Sequence, residues 1–328
     1  MNFEQILGHN RQIEILRRAL DTGRLAHAYL FHGPDGIGKR LVALALTQAI
    51  FCIDGLGCGH CTACRKIAHR NHPDIHFLEP DGNSIKIEQI RGLQRELNFR
   101  PLEAEYKVGL IDQAERMTTG AANALLKTLE EPPGTALLIL LSSQPQRLLE
   151  TIRSRCQPLQ FNRHTDTRIQ DVLEQKLGLA ETEAHVLAAL SDGSFKKAFG
   201  RDKELYLEKR RDFLKTLTGL SSGSILPTLE FAEQLASEKA DLPDILEIFQ
   251  AFYRDVLLTL HHQDDSQLVN LDMMDRVRQI ARKEQPPAIL DKLEALAAAR
   301  SHLERNVNRQ LAMEVLLLRL TAESERHI

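Results

Sequence analysis

Three groups of residues in this chain have types and spacings suited to chemistry. The first is Gly33-Pro34-Asp35-Gly36-Ile37-Gly38-Lys39-Arg40. Glycines at this spacing let backbone N–H groups close around a phosphate, and Lys39 adds a point charge. The alternative is a tight turn with no ligand. The second group is Cys52-x5-Cys58-x2-Cys61-x2-Cys64. Two successive C-x2-C steps can close a tetrahedral thiolate site around structural Zn2+, and such a site leaves no open position for water. His60, His69 and His72 lie near in sequence, and any of them could replace Cys52, the most distant ligand. The third group is spread over Lys107 to Cys156 and comprises Asp112, Ser142-Ser143 and Ser154-Arg155-Cys156.

A phosphate loop needs a strand before it and a helix after it. Ala28 to Phe31 reads as the strand and Leu41 to Phe51 as the helix. In the third group, the apolar run Val108 to Ile111 ends in Asp112. An amphipathic helix follows, with Leu125, Leu126 and Leu129 on one side, and Pro132-Pro133-Gly134 stop it. A second apolar run, Ala136 to Leu141, ends at Ser142. Two buried strands joined by a helix make a βαβ unit, whose ligands bind at the carboxyl ends of the strands. Asp112 and the serines are therefore expected where a nucleotide would lie. Around this frame, helices are expected over 10–21 and 87–97, and strands over 75–78 and 158–161. Arg155 is expected at the start of a short helix.

Beyond Asn162–Thr165 the composition shifts. Two short helices are expected over 166–178 and 181–190, and a third opens at Gly193. From Lys203 the chain reads as almost all helix: 205–217, 225–236, 245–260, 273–282, 289–303 and 311–320, with loops at 221–224 and 263–266. Pro286-Pro287 opens the fifth of these. Broad apolar stripes without an ionisable constellation suit an oligomerisation element.

The chain has 328 residues, enough for two or three domains. A net charge of −3 argues against a protein that grips duplex DNA alone, and the absence of Trp argues against base-stacking platforms. No apolar run reaches the roughly 18 residues of a membrane span, and the N-terminus lacks a signal-peptide pattern. A cytoplasmic protein with no membrane contact is expected. Four of the five cysteines lie within residues 52–64, which suits metal rather than disulfides.

The run Asn123-Ala-Leu-Leu-Lys-Thr-Leu-Glu-Glu-Pro-Pro133, then a strand, then Ser154-Arg155-Cys156, resembles the Walker B to SRC region of the bacterial AAA+ clamp loader family. The likeness extends over the whole chain, including His72-Pro73-Asp74. It implies a fold of α/β plus all-α class. An AAA+ P-loop parallel-sheet domain with a zinc module at about 52–64 would span 1–163. A helical lid would span 164–203, and a helical collar 204–328, with the last collar helix entered from Asn306.

By the same resemblance, Gly33, Gly36, Gly38, Lys39 and Asp112 would form a degenerate ATP or ADP site. Lys196 would stand in the sensor 2 position, usually an arginine. Cys52, Cys58, Cys61 and Cys64 would hold the zinc. The family's loop ends in a magnesium-binding Ser or Thr, here Arg40, and its motor subunits carry Glu after the Walker B Asp, here Gln113. Glu115, two residues further on, is expected to point elsewhere. Both departures impair hydrolysis, so no independent ATPase or polymerase site is expected. Arg155 survives as the arginine finger that would act in trans on a neighbour's ATP, with Arg153 as the nearby decoy.

The reading is a stator in a hetero-oligomer with gamma or tau motor subunits and the delta subunit, reaching DNA and the sliding clamp through the assembly. A gamma/tau-like ATP-hydrolysing motor is the alternative. A stand-alone zinc and nucleic-acid binding module fits the charge and the scarce aromatics less well.

Overall fold

Five short runs, all but the edge strand β5 mostly apolar, pair into one parallel sheet: β1 (Ala28–His32), β2 (Ile75–Leu78), β3 (Lys107–Ile111), β4 (Ala136–Ser142) and β5 (Gln157–Gln160). Their order is β2-β3-β4-β1-β5. The computed structural model describes residues 2–200, 204–221, 223, 225–238, 242–305 and 307–322. Lys203, Ser222, Ser224 and Asn306, which fall in the expected helix starts and loop, lie outside the described residues. The chain forms two units: residues 1–164 with 194–196, and residues 165–193 with 197–328.

In the first unit, side chains alternate between the two sheet faces, and both faces are covered. Tyr29, Phe31, Leu137, Ile139 and Leu141 face a cluster with Ile13 and Leu16 of α1 (Asn10–Asp21) and Val42 and Leu46 of α2 (Lys39–Phe51). Ala28, Leu30, Leu138 and Leu140 face the other cluster. It is completed by Ile90 and Leu93 of α4 (Ile87–Asn98) and by Leu125 and Leu129 of α5 (Thr119–Glu130). Between α2 and β2 lies the short helix α3 (Thr62–Ala68). Burying two faces explains why the strands read as continuous apolar runs. Most expected bounds hold within two residues. Helix α2 starts at Lys39 because Gly38 takes a left-handed cap (φ 112), which puts Lys39 and Arg40 in the first turn.

Asp74 anchors the connection into β3. Its fully buried carboxylate accepts the backbone N–H groups of Leu102 (2.8 Å), Glu103 (2.8 Å) and Ala104 (3.0 Å), and Lys107 Nζ lies 3.6 Å away. Burial alone would raise its pKa, but these donors and the lysine outweigh burial and hold it below the usual value.

The second unit is helical. The hairpin of α7 (Asp166–Leu177) and α8 (Glu181–Leu190) is followed by α9 (Phe195–Gly200), whose first two residues belong to the first unit. Six helices then form a bundle: α10 (Arg210–Gly219), α11 (Ile225–Ser237), α12 (Leu242–Leu260), α13 (Met274–Ala281), α14 (Pro286–Glu304) and α15 (Arg309–Thr321). The helix expected from Leu205 opens instead as a π-helical segment, Glu204–Lys209. That wider turn leads into the buried Arg210, whose Nε donates to the Tyr206 carbonyl (2.9 Å) and whose other nitrogens reach Asn270 and Asp272. Asp255, also buried, accepts the N–H groups of Val269 (3.1 Å) and Asn270 (2.7 Å). No described helix is long and apolar enough to cross a membrane.

Asp74→Asn keeps the side-chain shape but replaces one of its two acceptor oxygens with an NH2 donor and removes the charge that faces Lys107, so it should cost about 2–4 kcal/mol at neutral pH. Because the folded pKa is depressed, the wild-type advantage is full above the ordinary carboxylate value and fades as pH falls through the folded value. Urea unfolding at neutral pH and at about pH 3 should show the two proteins converging in acid.

Candidate functional site

The carboxyl edge of the sheet gathers most of the residues singled out above. Strand β1 runs into the glycine loop, which closes against the segment after β5. A Cβ on Gly33 (φ 147) would lie 2.1 Å from the Phe161 carbonyl oxygen, and one on Gly36 (φ 72) 2.5 Å from Ser194 Oγ. Only glycine fits at these two positions. Lys39 is buried, and its Nζ donates to the carbonyls of Gly33 (2.7 Å) and Pro34 (2.6 Å). Burial lowers its pKa, against the pull of Asp35, Glu115 and Asp112. Lys196 lies beside the loop: its N–H donates to the Gly36 carbonyl (3.2 Å) and its exposed Nζ is 3.7 Å from Asp35.

Arg40 takes the position that a magnesium-binding hydroxyl would occupy. One guanidinium nitrogen lies 3.1 Å from Asp112 Oδ2, and another lies 2.5 Å from Glu79 Oε1. The second Asp112 oxygen accepts the N–H of Gln113 (2.9 Å), whose backbone is left-handed (φ 52). Both carboxylate oxygens are thus engaged, and a permanent cation sits between the two acids. Magnesium needs oxygen ligands that it can draw into an octahedral shell. These residues do not fit it.

Glu115, three residues beyond Asp112 and expected to point elsewhere, instead turns to the end of β4, at the same edge as Lys39. It accepts the N–H (3.0 Å) and hydroxyl of Ser143, and its other oxygen is buried without a partner among the described residues. Burial would raise its pKa, but the Ser143 donors hold it down. Ser142 is buried, and its carbonyl accepts the Gly33 N–H (3.2 Å).

Sequence reasoning missed three residues at or near this edge, Glu79, His9 and His164, and a fourth, Glu130, at the opposite edge, where β4 and β5 begin. Glu79 directly follows β2, so its place at the carboxyl edge was open to inference. His9 and His164 each place Nε2 on the Ile37 carbonyl (2.7 and 3.0 Å). A carbonyl only accepts, so both rings donate from Nε2. The rings stack at 4.5 Å between Phe161 and Phe195, and burial lowers the His9 pKa. Glu130 pairs with Arg155 at 2.8 Å.

Arg155 requires a correction. The short helix, α6, spans Glu150–Arg153, so Arg155 follows its C-terminal end instead of opening a helix. The helix begins after Leu149 without a side-chain cap, and the chain must straighten by Gln157 to enter β5. In that turn the half-exposed guanidinium donates to the Thr151 carbonyl (3.0 Å) and pairs with Glu130. Arg153 is exposed, while Cys156 is buried and its thiol is pushed up to about 12, far from a nucleophile.

The four clustered cysteines come together between α2 and α3. Their Sγ atoms all lie within 4.8 Å of one another. Successive backbone N–H groups point at them: Cys58 N to Cys52 Sγ (3.3 Å), Cys61 N to Cys58 Sγ (3.4 Å) and Cys64 N to Cys61 Sγ (3.4 Å). Burial opposes ionisation of Cys52, but the N–H groups of Cys58 and Asp54 and neighbouring thiols bring it to about 6. Burial and neighbouring thiols push Cys64 to about 12. Four thiols this close cannot all ionise without a cation, so the donor set suits a metal ion. Cys52 belongs to the cluster. Of the alternative histidines, His60 contacts Cys58 Sγ (3.2 Å), His69 is exposed, and buried His72 stacks on Phe51 and accepts the Asp74 N–H (3.2 Å).

Residues 8–165 match the family described as DNA polymerase III, delta subunit, and residues 204–322 match DNA polymerase III, delta subunit, C terminal. The chain is 34% identical over 315 residues to DNA polymerase III subunit delta' of Bacillus subtilis, covering 94% of this chain and 95% of the relative. It is 45% identical over 139 residues to subunit delta' of Pseudomonas aeruginosa, covering 40% of this chain and 42% of the relative. Identity to the B. subtilis tau subunit is 29% over 283 residues, covering 78% of this chain but only 50% of that protein. Among solved structures, a DNA polymerase III gamma subunit-related protein from Thermotoga maritima aligns with a TM-score of 0.45 at 20% identity, covering 94% and 98% of the two chains.

The purified chain should carry one tightly held divalent metal ion. Cys64→Ser, which removes the most buried donor, should lose most of it and lower the melting temperature by roughly 5–10 °C. Elemental analysis with thermal unfolding checks both.

Proposed function

The chain belongs to the DNA polymerase III delta-prime family of clamp loader subunits, and from that premise we propose that it is a non-hydrolysing stator that lends Arg155 to a neighbour's nucleotide. One observation carries this reading: the Arg40 guanidinium sits on Asp112, where a hydrolysing enzyme needs magnesium. Gln113 adds a second deficit, since an amide cannot take a proton from water. Two losses in one reaction favour the stator over a gamma/tau-like motor.

Gly33, Gly36, Gly38, Lys39, Asp112 and Lys196 then form a degenerate nucleotide site that binds ATP or ADP and does not turn it over. Arg155 is different. Glu130 and the Thr151 carbonyl steady it at the surface. A guanidinium so held can fork onto phosphate oxygens presented by another subunit. The metal at Cys52, Cys58, Cys61 and Cys64 is zinc in this reading, because soft thiolates in tetrahedral reach select it. Its role is structural: it closes the loop between α2 and α3.

The domain reading is an AAA+ domain over 1–163, a lid over 164–203 and a collar over 204–328. The collar joins a hetero-oligomer with gamma or tau motor subunits and the delta subunit. DNA and the sliding clamp are reached through that cytoplasmic assembly.

Arg155→Ala should leave the subunit folded and assembled, yet reduce ATP hydrolysis and clamp loading by the reconstituted complex at least about tenfold, fingers being worth ~10³–10⁵ where isolated. Arg153→Ala, the exposed neighbour, should do much less. The chain alone should show no turnover, and Arg40→Thr by itself should not restore it. Full activity with Arg155→Ala in a demonstrably assembled complex would leave only a structural stator.

A further inference from the structure

We propose that the phosphate loop binds its nucleoside di- or triphosphate without magnesium, Arg40 being the cation shared by the bound phosphates, Asp112 and Glu79. The inference rests on the nucleotide-binding reading above and specifies the ligand's form: the free nucleotide, not its metal complex.

The geometry follows from the start of α2. Gly38 caps the helix, so Lys39 and Arg40 are its first two residues and stand at the positive end of α2, beside the glycine loop. Lys39 spends two of its three N–H donors on the loop's own carbonyls, Gly33 and Pro34. Arg40 extends past it to the acids at the ends of two other strands. Asp112 follows β3, Glu79 follows β2, and the guanidinium touches both, at 3.1 and 2.5 Å. Arg70 supports the same arrangement from the far side, 3.4 Å from Glu79.

In a metal-dependent loop the acid at the end of β3 is left with oxygens for the metal's shell, and a hydroxyl at position 40 completes it. Here one Asp112 oxygen is committed to Arg40 and the other to the Gln113 N–H. A divalent ion entering this space would meet a fixed positive charge on the carboxylate it would use. Arginine keeps its charge at every working pH, so the countercharge is permanent. Its five N–H donors allow it to hold the two acids and still present an edge to phosphate oxygens. The substitution therefore does more than delete a magnesium ligand, because it installs a replacement for the ion.

The test measures equilibrium binding of ADP and ATP to the purified full chain, in millimolar magnesium and in EDTA, together with uptake of Mn2+ by electron paramagnetic resonance. The wild-type dissociation constants should agree within about twofold between the two buffers, and the nucleotide complex should leave Mn2+ free in solution. Arg40→Thr should bind at least about tenfold more weakly in EDTA than in magnesium and take up one Mn2+ with nucleotide, while Arg40→Lys should stay metal-independent. Wild-type binding that requires magnesium, or that brings Mn2+ with it, would overturn the inference and leave the nucleotide site standing. Absence of binding in both buffers, by protein that unfolds normally, would remove the nucleotide site itself and this inference with it. The wild-type arms decide the matter even if Arg40→Thr does not fold.

Discussion

A parallel sheet covered by helices on both faces has nowhere but its edges to place polar chemistry. That constraint governs the first unit. The interiors of β1, β3 and β4 are apolar, and polar groups appear where strands end: His32 before the glycine loop, Glu79 after β2, Asp112 after β3 and Ser142-Ser143 at the end of β4. Hydrogen bonding across that edge ties the loops together. The Gly33 N–H reaches the Ser142 carbonyl, and the Asp112 N–H reaches the Leu78 carbonyl. The site is a consequence of the packing, since ionised groups can be kept solvated or paired only there.

At this edge protein groups take up most of the charges. Arg40 bridges Asp112 and Glu79, Arg70 also reaches Glu79, Ser143 donates to one Glu115 oxygen, and Lys39 is held by its own loop. The countercharge of the two acids is thus an arginine. The cysteine cluster is the opposite case. Burial, backbone N–H groups and neighbouring thiols set Cys52 at about 6 and Cys64 at about 12, and a bound cation would let all four ionise together. One chain thus holds a glycine loop whose neighbouring acids pair with an arginine, and a thiol cluster suited to a metal ion.

Polar anchors elsewhere serve shape. Asp74 takes three backbone N–H groups and so fixes the loop that enters β3. Asp255 does the same for residues 269 and 270, and Arg210 ties Asn270 and Asp272 to the π-helical turn at its own start. Buried charges are tolerated in these places because every one meets several donors or acceptors. The sequence hinted at the first through His72-Pro73-Asp74, but nothing local marked Asp255 or Arg210, whose partners lie about 15 and 60 residues away.

The sequence by itself determined the frame. Apolar runs of strand length, the glycine loop between a strand and a helix, the prolines closing α5 and the double C-x2-C spacing each depend on neighbours within a few residues, so they were legible without coordinates. Composition likewise pointed to helices beyond Lys203. Tertiary structure alone decided the pairings. That Arg40 would lie on Asp112, 72 positions later, that Glu130 would meet Arg155, and that His9 and His164 would share the Ile37 carbonyl all depend on the order in which the strands lie side by side. Arg155, expected at the start of a short helix, instead follows the end of one. Four residues of helix between two loops carry too little periodicity to set their own bounds, and entry into β5 set them instead.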